Sequence, residues 1–238
     1  MNKKRPPAVL GLALDGDRLH GVVLKRANGG AQIAATLNVP LALDPLTGDP
    51  ELVGREIRNH LEAAEIRERR CVFALPLNWA LTHQTPLPAE LPPGDWDSFL
   101  QIEAERGFPY GLDALMVSKS VARLSASEIL AMQVAVPREH VVRLEQVLRA
   151  ARLQPASFSL GLPAMQHASR EADRAVLALA AGEAGLGLQV TAGGGLLALR
   201  TLDNALETDG REKRILPDVI ARDLRIVLGQ LPANVRAG

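Results

Sequence analysis

A single cysteine, Cys71, leaves no partner for an internal disulfide and rules out a multi-cysteine zinc site. It stands in the apolar run CVFALP (71–76), which reads as a short buried strand with a structural thiol. Long hydrophobic runs are also missing. No stretch approaches the roughly 20 apolar residues that a transmembrane helix needs. The basic start, Lys3-Lys4-Arg5, is followed by no signal-like apolar core, so a cytoplasmic chain is expected. Charge of either sign is not in excess: Lys+Arg and Asp+Glu are both 27, for a formal net charge of zero. That excludes broad electrostatic binding to nucleic acid.

Catalytic spacings are lacking too. His20, His60, His83, His140 and His167 form neither an HxxxH nor an HExxH pattern. Ser157 and Ser159 in SFSLG lack a G-x-S-x-G elbow. The triple glycine 193–195 is not followed by the Lys-Ser/Thr of a phosphate loop and opens no helix, so it reads as a hairpin turn. In DWDSFLQIEAER, Glu103 and Glu105 are two apart and point to different faces of a helix, which argues against a paired-carboxylate site.

What is present is a chain able to build a core, with 47% hydrophobic residues. It opens with LGLALDGDRLHGVVLKR (10–26), two apolar runs around Asp15-Gly16-Asp17, the pattern of a β-hairpin. One or two strands follow in 31–43. Asp49 as cap and Pro50 at the first turn predict a helix with Val53, Ile57, Leu61 and Ala64 as its stripe. Strands are predicted at 71–76 and 80–88. Next comes a helix capped by Asp95 and stopped at a left-handed Gly107. Two more strands (112–124 and 128–137) lead into an amphipathic helix with Val141, Leu144, Leu148 and Ala151 on one face. A strand at 155–161 and a short helix at 162–169 complete this half. The pattern then restarts with a strand at 174–182, a hairpin at 186–202 and a helix near Pro217–Leu228, which suggests a duplicated hairpin-led unit.

Taken in order, these stretches resemble the type IV pilus assembly protein PilM family, actin-like proteins related to the division protein FtsA. The most telling segments are Glu103–Leu115, within FLQIEAERGFPYGLDALMV, and VPREHVVRLEQVLRAARLQP (136–155). The resemblance implies an α/β, actin-like (RNase H-like) fold. It places a first domain at 1–171, a small α+β subdomain inserted at about 78–152, and a partial second domain at 172–238. The cytoplasmic part of the secretion protein GspL is similar in the same way. The chain stops before the glycine-rich adenosine segment of actin-like proteins, so a piece of a longer protein is expected.

The family commonly opens with G-[IL]-D-[IL]-G-[ST], and here Ala13 stands where its aspartate would be. At the second phosphate hairpin the run is Ala180-Ala181-Gly182, again without the acid. Those aspartates hold magnesium and its water around the phosphates. The resemblance therefore implies a degenerate nucleotide site at Asp15, Gly16, Asp17, Gly182 and Gly194, with no catalytic residue and no metal. ATP with magnesium is not favoured as a cofactor. It implies a non-catalytic cytoplasmic scaffold, held at the inner membrane through partners. Those partners are the cytoplasmic tail of a PilN-like membrane protein and other pilus assembly proteins. A partner groove is expected at the edge strand ALTHQTPLP, with Leu81, His83 and Thr85. The alternatives are a GspL-like component of type II secretion and an actin-like or sugar-kinase-like ATPase.

Overall fold

A computed structural model describes residues 8–27, 30–165, 174–182, 185–202, 204–209 and 212–236. The chain forms two compact units: Met1–Pro76 with Arg138–Gly161, and Leu77–Pro137 with Leu162–Gly238.

The first unit starts with a three-stranded meander, β1 (Ala8–Asp15), β2 (Arg18–Ala27) and β3 (Gly30–Pro40). Gly16 supplies the positive φ of 60° at the first position of the β1–β2 turn, where a side chain would be strained. Helix α1 (Pro50–Ala63) follows, and its cap forms as the sequence predicts: Asp49 Oδ1 accepts from the Glu51 and Leu52 amides at 3.0 and 3.2 Å. Strand β4 (Arg70–Leu75) then pairs parallel with β1. The chain leaves this unit after β4 and returns as helix α3 (Arg138–Ala150) and strand β8 (Gln154–Leu160). Strand β8 lies parallel beside β4, which completes the order β3-β2-β1-β4-β8.

Alternation decides what this sheet buries. Leu10, Leu12 and Leu14 of β1, and Cys71, Phe73 and Leu75 of β4, are all buried. So are Val53, Ile57 and Leu61 of α1 and Val141, Leu144, Val147 and Leu148 of α3. Helix α3, expected in the inserted block at about 78–152, belongs to this first unit. It packs directly on α1 and against β8. The approach is close enough that a Cβ built on Gly54 would lie 2.5 Å from the Ala150 Cβ and 2.8 Å from its backbone carbon.

The second unit holds two three-stranded sheets and a ribbon. One sheet, in the order β5-β7-β6, comprises β5 (Leu81–Leu87), β6 (Leu115–Arg123) and β7 (Ile129–Pro137), with helix α2 (Trp96–Gly107) packed on β5. The other is β9 (Val176–Ala181), β10 (Leu186–Ala192) and β11 (Gly195–Leu202), in the order β11-β10-β9. The ribbon β12 (Leu206–Asp209) and β13 (Glu212–Ile215) precedes helix α4 (Pro217–Gln230), and a last turn, α5 (Ala233–Arg236), follows. Leu188, Val190, Leu197, Leu202 and Val227 form the core shared by this sheet and α4. Both units thus show three antiparallel strands and then a helix that begins with proline, the repeat expected from the sequence.

Two local expectations are corrected. Gly107 is not a left-handed stop: the positive-φ glycines among the described residues are Gly16, Gly193 and Gly194. It is the last residue of α2, and the His83 ring lies 2.5 Å from where its Cβ would be, so the position requires the absence of a side chain. Asp95 precedes α2 but forms no side-chain cap. The part of the 162–169 helix beyond Met165 and the N-terminal basic residues lie outside the described residues.

Two glycine-to-alanine changes should have opposite signs. Alanine favours a helix interior over glycine by about 1 kcal/mol. Gly229 in α4 has open space around it, so Gly229→Ala should raise the urea midpoint. At Gly54 the new methyl meets both the side chain and the backbone of Ala150, and overpacking of this kind costs about 1–3 kcal/mol. Gly54→Ala should lower the midpoint; an increase there would show that α1 and α3 do not pack this closely.

Candidate functional site

In the first unit, the β1–β2 turn brings together the residues the sequence singled out. Asp15 is opposite Arg18 across the turn; Gly16 and Asp17 are exposed. The Asp17 carbonyl accepts from the Leu41 amide at 2.8 Å, and Arg18 Nε donates to Asn38 Oδ1 at 2.9 Å. The turn is therefore tied to the C-terminal end of β3 and to the residue just after it.

Ala13 lies two residues before Asp15, on the same face of β1. Its register partners are His20 on β2 and Ala74 on β4, and Ala74 is in turn paired with Ser159 on β8. The row across the sheet thus reads His20, Ala13, Ala74, Ser159, with methyl groups at its centre. No carboxylate stands in this row, so a cation bound there would have only Asp15 in the adjacent row. The His20 Nε2 atom is buried with no hydrogen-bond partner among the described residues. Also among those residues, no group of three His, Cys, Asp or Glu side chains is placed to hold a metal.

Gly182 and Gly194 lie in the second unit, at opposite ends of β10. Gly182 donates to the Gly185 carbonyl at 2.8 Å next to Leu186, whereas Gly194 follows Ala192. Seven residues of strand separate them, about 20 Å at the usual rise. The structure does not bring these two glycines together. Gly193 and Gly194, with φ of 56° and 75°, form the two-residue turn between β10 and β11. The Gly193 carbonyl accepts from the Arg123 amide at 2.9 Å, and a Cβ on Gly193 or Gly195 would enter the backbone of β6. The triple glycine is thus a docking turn that lets β11 approach β6.

Strand β5 is an edge strand, hydrogen-bonded to β7 alone among the described strands. Leu81 packs in the cluster of Ala104, Phe108 and Leu115. His83 meets the Phe108 ring edge-on at 6.0 Å between centroids. Thr85 is buried, and its hydroxyl has no partner among the described residues. These three side chains pack inside the unit. What β5 leaves available is its backbone edge. The opposite face of β5 lines a cavity of ≈ 140 Å³ with Leu197, Arg200, Val227 and Gln230. Gln84 Nε2 donates to the Leu197 carbonyl at 3.1 Å, and Arg200 Nη2 donates to Gln230 Oε1 at 2.7 Å. Sequence reasoning missed this cavity because its walls come from three distant segments with no shared motif. The facing of β5 was readable: Leu81 and Leu87 share one parity, and apolar parity goes inside.

The remaining candidates stay apart. Asp97 pairs with Lys119 and Glu103 with Arg106, so the acidic helix carries ordinary ion pairs. His167 lies outside the described residues.

No family model matches the chain, and no curated protein matches it in sequence. Solved structures do match. The PilM–PilN type IV pilus biogenesis complex is similar over 84% of this chain, with a TM-score of 0.67 and 23% identity. The match covers 62% of that chain, so the present sequence spans less than two thirds of it. The cytoplasmic domain of EpsL, an inner-membrane component of the type II secretion system of Vibrio cholerae, has a TM-score of 0.53 at 13% identity, covering 82% of this chain and 71% of that one. A Bacteroides thetaiotaomicron protein of actin-like ATPase fold and unknown function has a TM-score of 0.50 at 11% identity, covering 94% and 77%. The fold is actin-like, as the resemblance implied.

Cys71 gives the first unit a chemical readout. Burial raises its thiol from 9.0 to about 11. The neutral thiol is favoured in the folded state, so its contribution is complete below pH 9 and is lost as pH rises towards 11. Two pH units correspond to about 3 kcal/mol. Native protein should resist iodoacetamide at pH 8 and react after urea unfolding, and Cys71→Ala should flatten the fall in stability between pH 9 and 11. Rapid native labelling would contradict the burial.

Proposed function

We propose that this protein is a non-catalytic scaffold of a type IV pilus assembly platform, and that it binds the cytoplasmic tail of a PilN-like inner-membrane protein. The observation that carries the reading is the fold match to a PilM chain solved with PilN over 84% of the present chain. Ala13 and Ala180 add to it. Each stands where the resemblance would put a magnesium-holding aspartate, and the row around Ala13 offers methyl groups in place of oxygen ligands. The scaffold acts at the cytoplasmic side of the inner membrane through its partner. Among the described residues no helix is long and apolar enough to cross a membrane.

A protein that does no chemistry acts through surfaces, and zero net charge offers no bulk steering. The free backbone edge of β5 is where an extended tail adds as a further strand. Pro86 limits that addition at one end, which leaves Leu81–Thr85. A second reading, a GspL-like component of type II secretion, is supported by the likeness to the EpsL cytoplasmic domain. Its partners would differ, but the nucleotide expectation is the same.

Two measurements test the proposal. Stabilisation by a ligand grows with its concentration over Kd, so millimolar Mg-ATP should move the melting temperature by less than about 1 °C. A shift of several degrees would refute the degenerate site. A synthetic peptide copying the N-terminal cytoplasmic segment of a PilN-like protein should bind and perturb amide resonances along β5. No binding at high micromolar peptide, or shifts confined to residues after 172, would refute the partner placement.

A further inference from the structure

A net charge of zero hides an uneven distribution along the strands of the first unit. Strand β1 runs from Ala8 to Asp15, β4 and β8 lie parallel to it, and α1 and α3 lead back to the starts of β4 and β8. The end where β1 finishes is acidic: Asp15 and Asp17 are in the β1–β2 turn, and Asp49, Glu51 and Glu139 are at the starts of α1 and α3. The end where β1 starts is basic. Lys25 and Arg26 are among the last three residues of β2, Arg67 and Arg69 lie between α1 and β4, Arg70 opens β4, and Arg152 lies between α3 and β8. Only Glu62, Glu65 and Glu68 stand beside them as carboxylates without a printed partner of their own in the last turn of α1 and the segment after it. None of the six cations has an ion-pair partner among the described residues. The Arg69 Nη1 atom is buried with no hydrogen-bond partner there. The sequence also puts Lys3, Lys4 and Arg5 just ahead of Ala8. Eight residues of strand, about 26 Å, separate the two ends. The Debye length at physiological ionic strength is about 8 Å, so each end acts on its surroundings alone.

Cations near helix C-termini are stabilising in themselves, and α1 and α3 both end here. That accounts for Arg67, Arg69 and Arg152. It does not account for Lys25 and Arg26, which are exposed on a β-ribbon. Nor does it account for their apolar neighbour. Ile33 of β3, opposite Leu24, is 61% exposed, the highest value for a large apolar side chain among the described residues. The ribbon carries cations and an uncovered isoleucine together, the composition of a segment that enters a lipid interface. Nucleic acid fits less well. Residues 1–70 contain no Phe, Tyr or Trp, so this end has no platform on which bases could stack. The cations also come from β2, β4 and the approach to β8, which span three strand spacings, about 14 Å. A spread of that width matches a charged plane better than a single chain.

We propose that this basic end of the first unit rests directly on an anionic phospholipid bilayer, with Lys25 and Arg26 at the headgroups and Ile33 inserted between them. Each Lys or Arg near such a surface contributes roughly fivefold in affinity. The acidic end, with its Asp15-Gly16-Asp17 turn, then faces away from the lipid. From the proposed function this inference takes only the location at the inner membrane. Lipid binding is measured on the chain alone, without the tail peptide, so the bilayer contact and the tail placement can fail separately.

The 238-residue chain should co-sediment with vesicles of phosphatidylcholine and phosphatidylglycerol in about a 2:1 ratio, and not with phosphatidylcholine alone. Raising salt to about 1 M shortens the Debye length to about 3 Å and should release it. The double change Lys25→Glu/Arg26→Glu should weaken binding at least about tenfold. Arg225→Glu/Arg236→Glu makes the same change of charge at exposed sites of the second unit and should leave binding unaltered. Circular dichroism checks each fold; if the reversal unfolds the chain, Lys25→Gln/Arg26→Gln should still weaken binding severalfold. Ile33→Trp should show emission shifted to the blue by anionic vesicles, beyond any change in the parent chain with its Trp79 and Trp96. Equal binding to neutral and anionic vesicles, no binding to either, indifference to the β2 changes, equal loss with the second-unit control, an unshifted Ile33→Trp emission, or tighter binding to a single-stranded RNA than to anionic vesicles would each overturn the proposal.

Discussion

The first unit depends on one long-range pairing, β4 with β8. Arg70 is opposite Gln154, 84 positions later in the chain. Closing a loop of that length costs about 4 kcal/mol of chain entropy beyond the local terms. Six backbone positions of parallel ladder and the burial of α3 on α1 must offset it. Most of that return comes from apolar area, since Val141, Leu144, Val147 and Leu148 bury together and each buried aliphatic side chain contributes about 1.5–3 kcal/mol. Gly54 sets how near the two helices come, so the absence of one methyl group sets the depth of that contact.

In the second unit the comparable constraint is the approach of β11 to β6. Gly193 and Gly195 remove the two side chains that would hold these strands apart, and the Arg123 amide and the Ser120 hydroxyl bond into the space. The second sheet is thereby joined to the first through backbone contacts. The Gly193 carbonyl accepts from the Arg123 amide, and the Leu196 amide, next to the triple glycine, donates to Ser120 Oγ of β6.

Much of this was legible in the sequence because the signals are local. Asp49-Pro50 announces α1, Asp15-Gly16-Asp17 announces the first turn, and the 3.6 period of Val141, Leu144 and Leu148 announces α3. What α3 packs against was not legible, since a helix stripe states that it is covered and not by what. Gly107 shows the same limit. A glycine at a helix end suggests a left-handed stop, but here it makes room for His83, 24 positions earlier. Of the candidate site, Asp15, Gly16 and Asp17 stand together because they are one turn. Gly182 and Gly194 do not, because hairpin resemblance carries no information about which end of a strand each turn occupies. The facing of Leu81, His83 and Thr85 follows from apolar parity, while the cavity behind β5 has no sequence signature.

The route of the chain also sets an order of events during synthesis. Strand β4 leaves the ribosome long before β8, and at 5–20 residues per second the wait is roughly 4–17 s. Throughout it, the outer edge of β4 is an unpaired run of Cys71, Val72, Phe73, Ala74 and Leu75. The nascent chain must keep that edge from other polypeptides while the whole of Leu77–Pro137 is made. A slow codon stretch or a chaperone would act in this interval, before the strand that ends it exists.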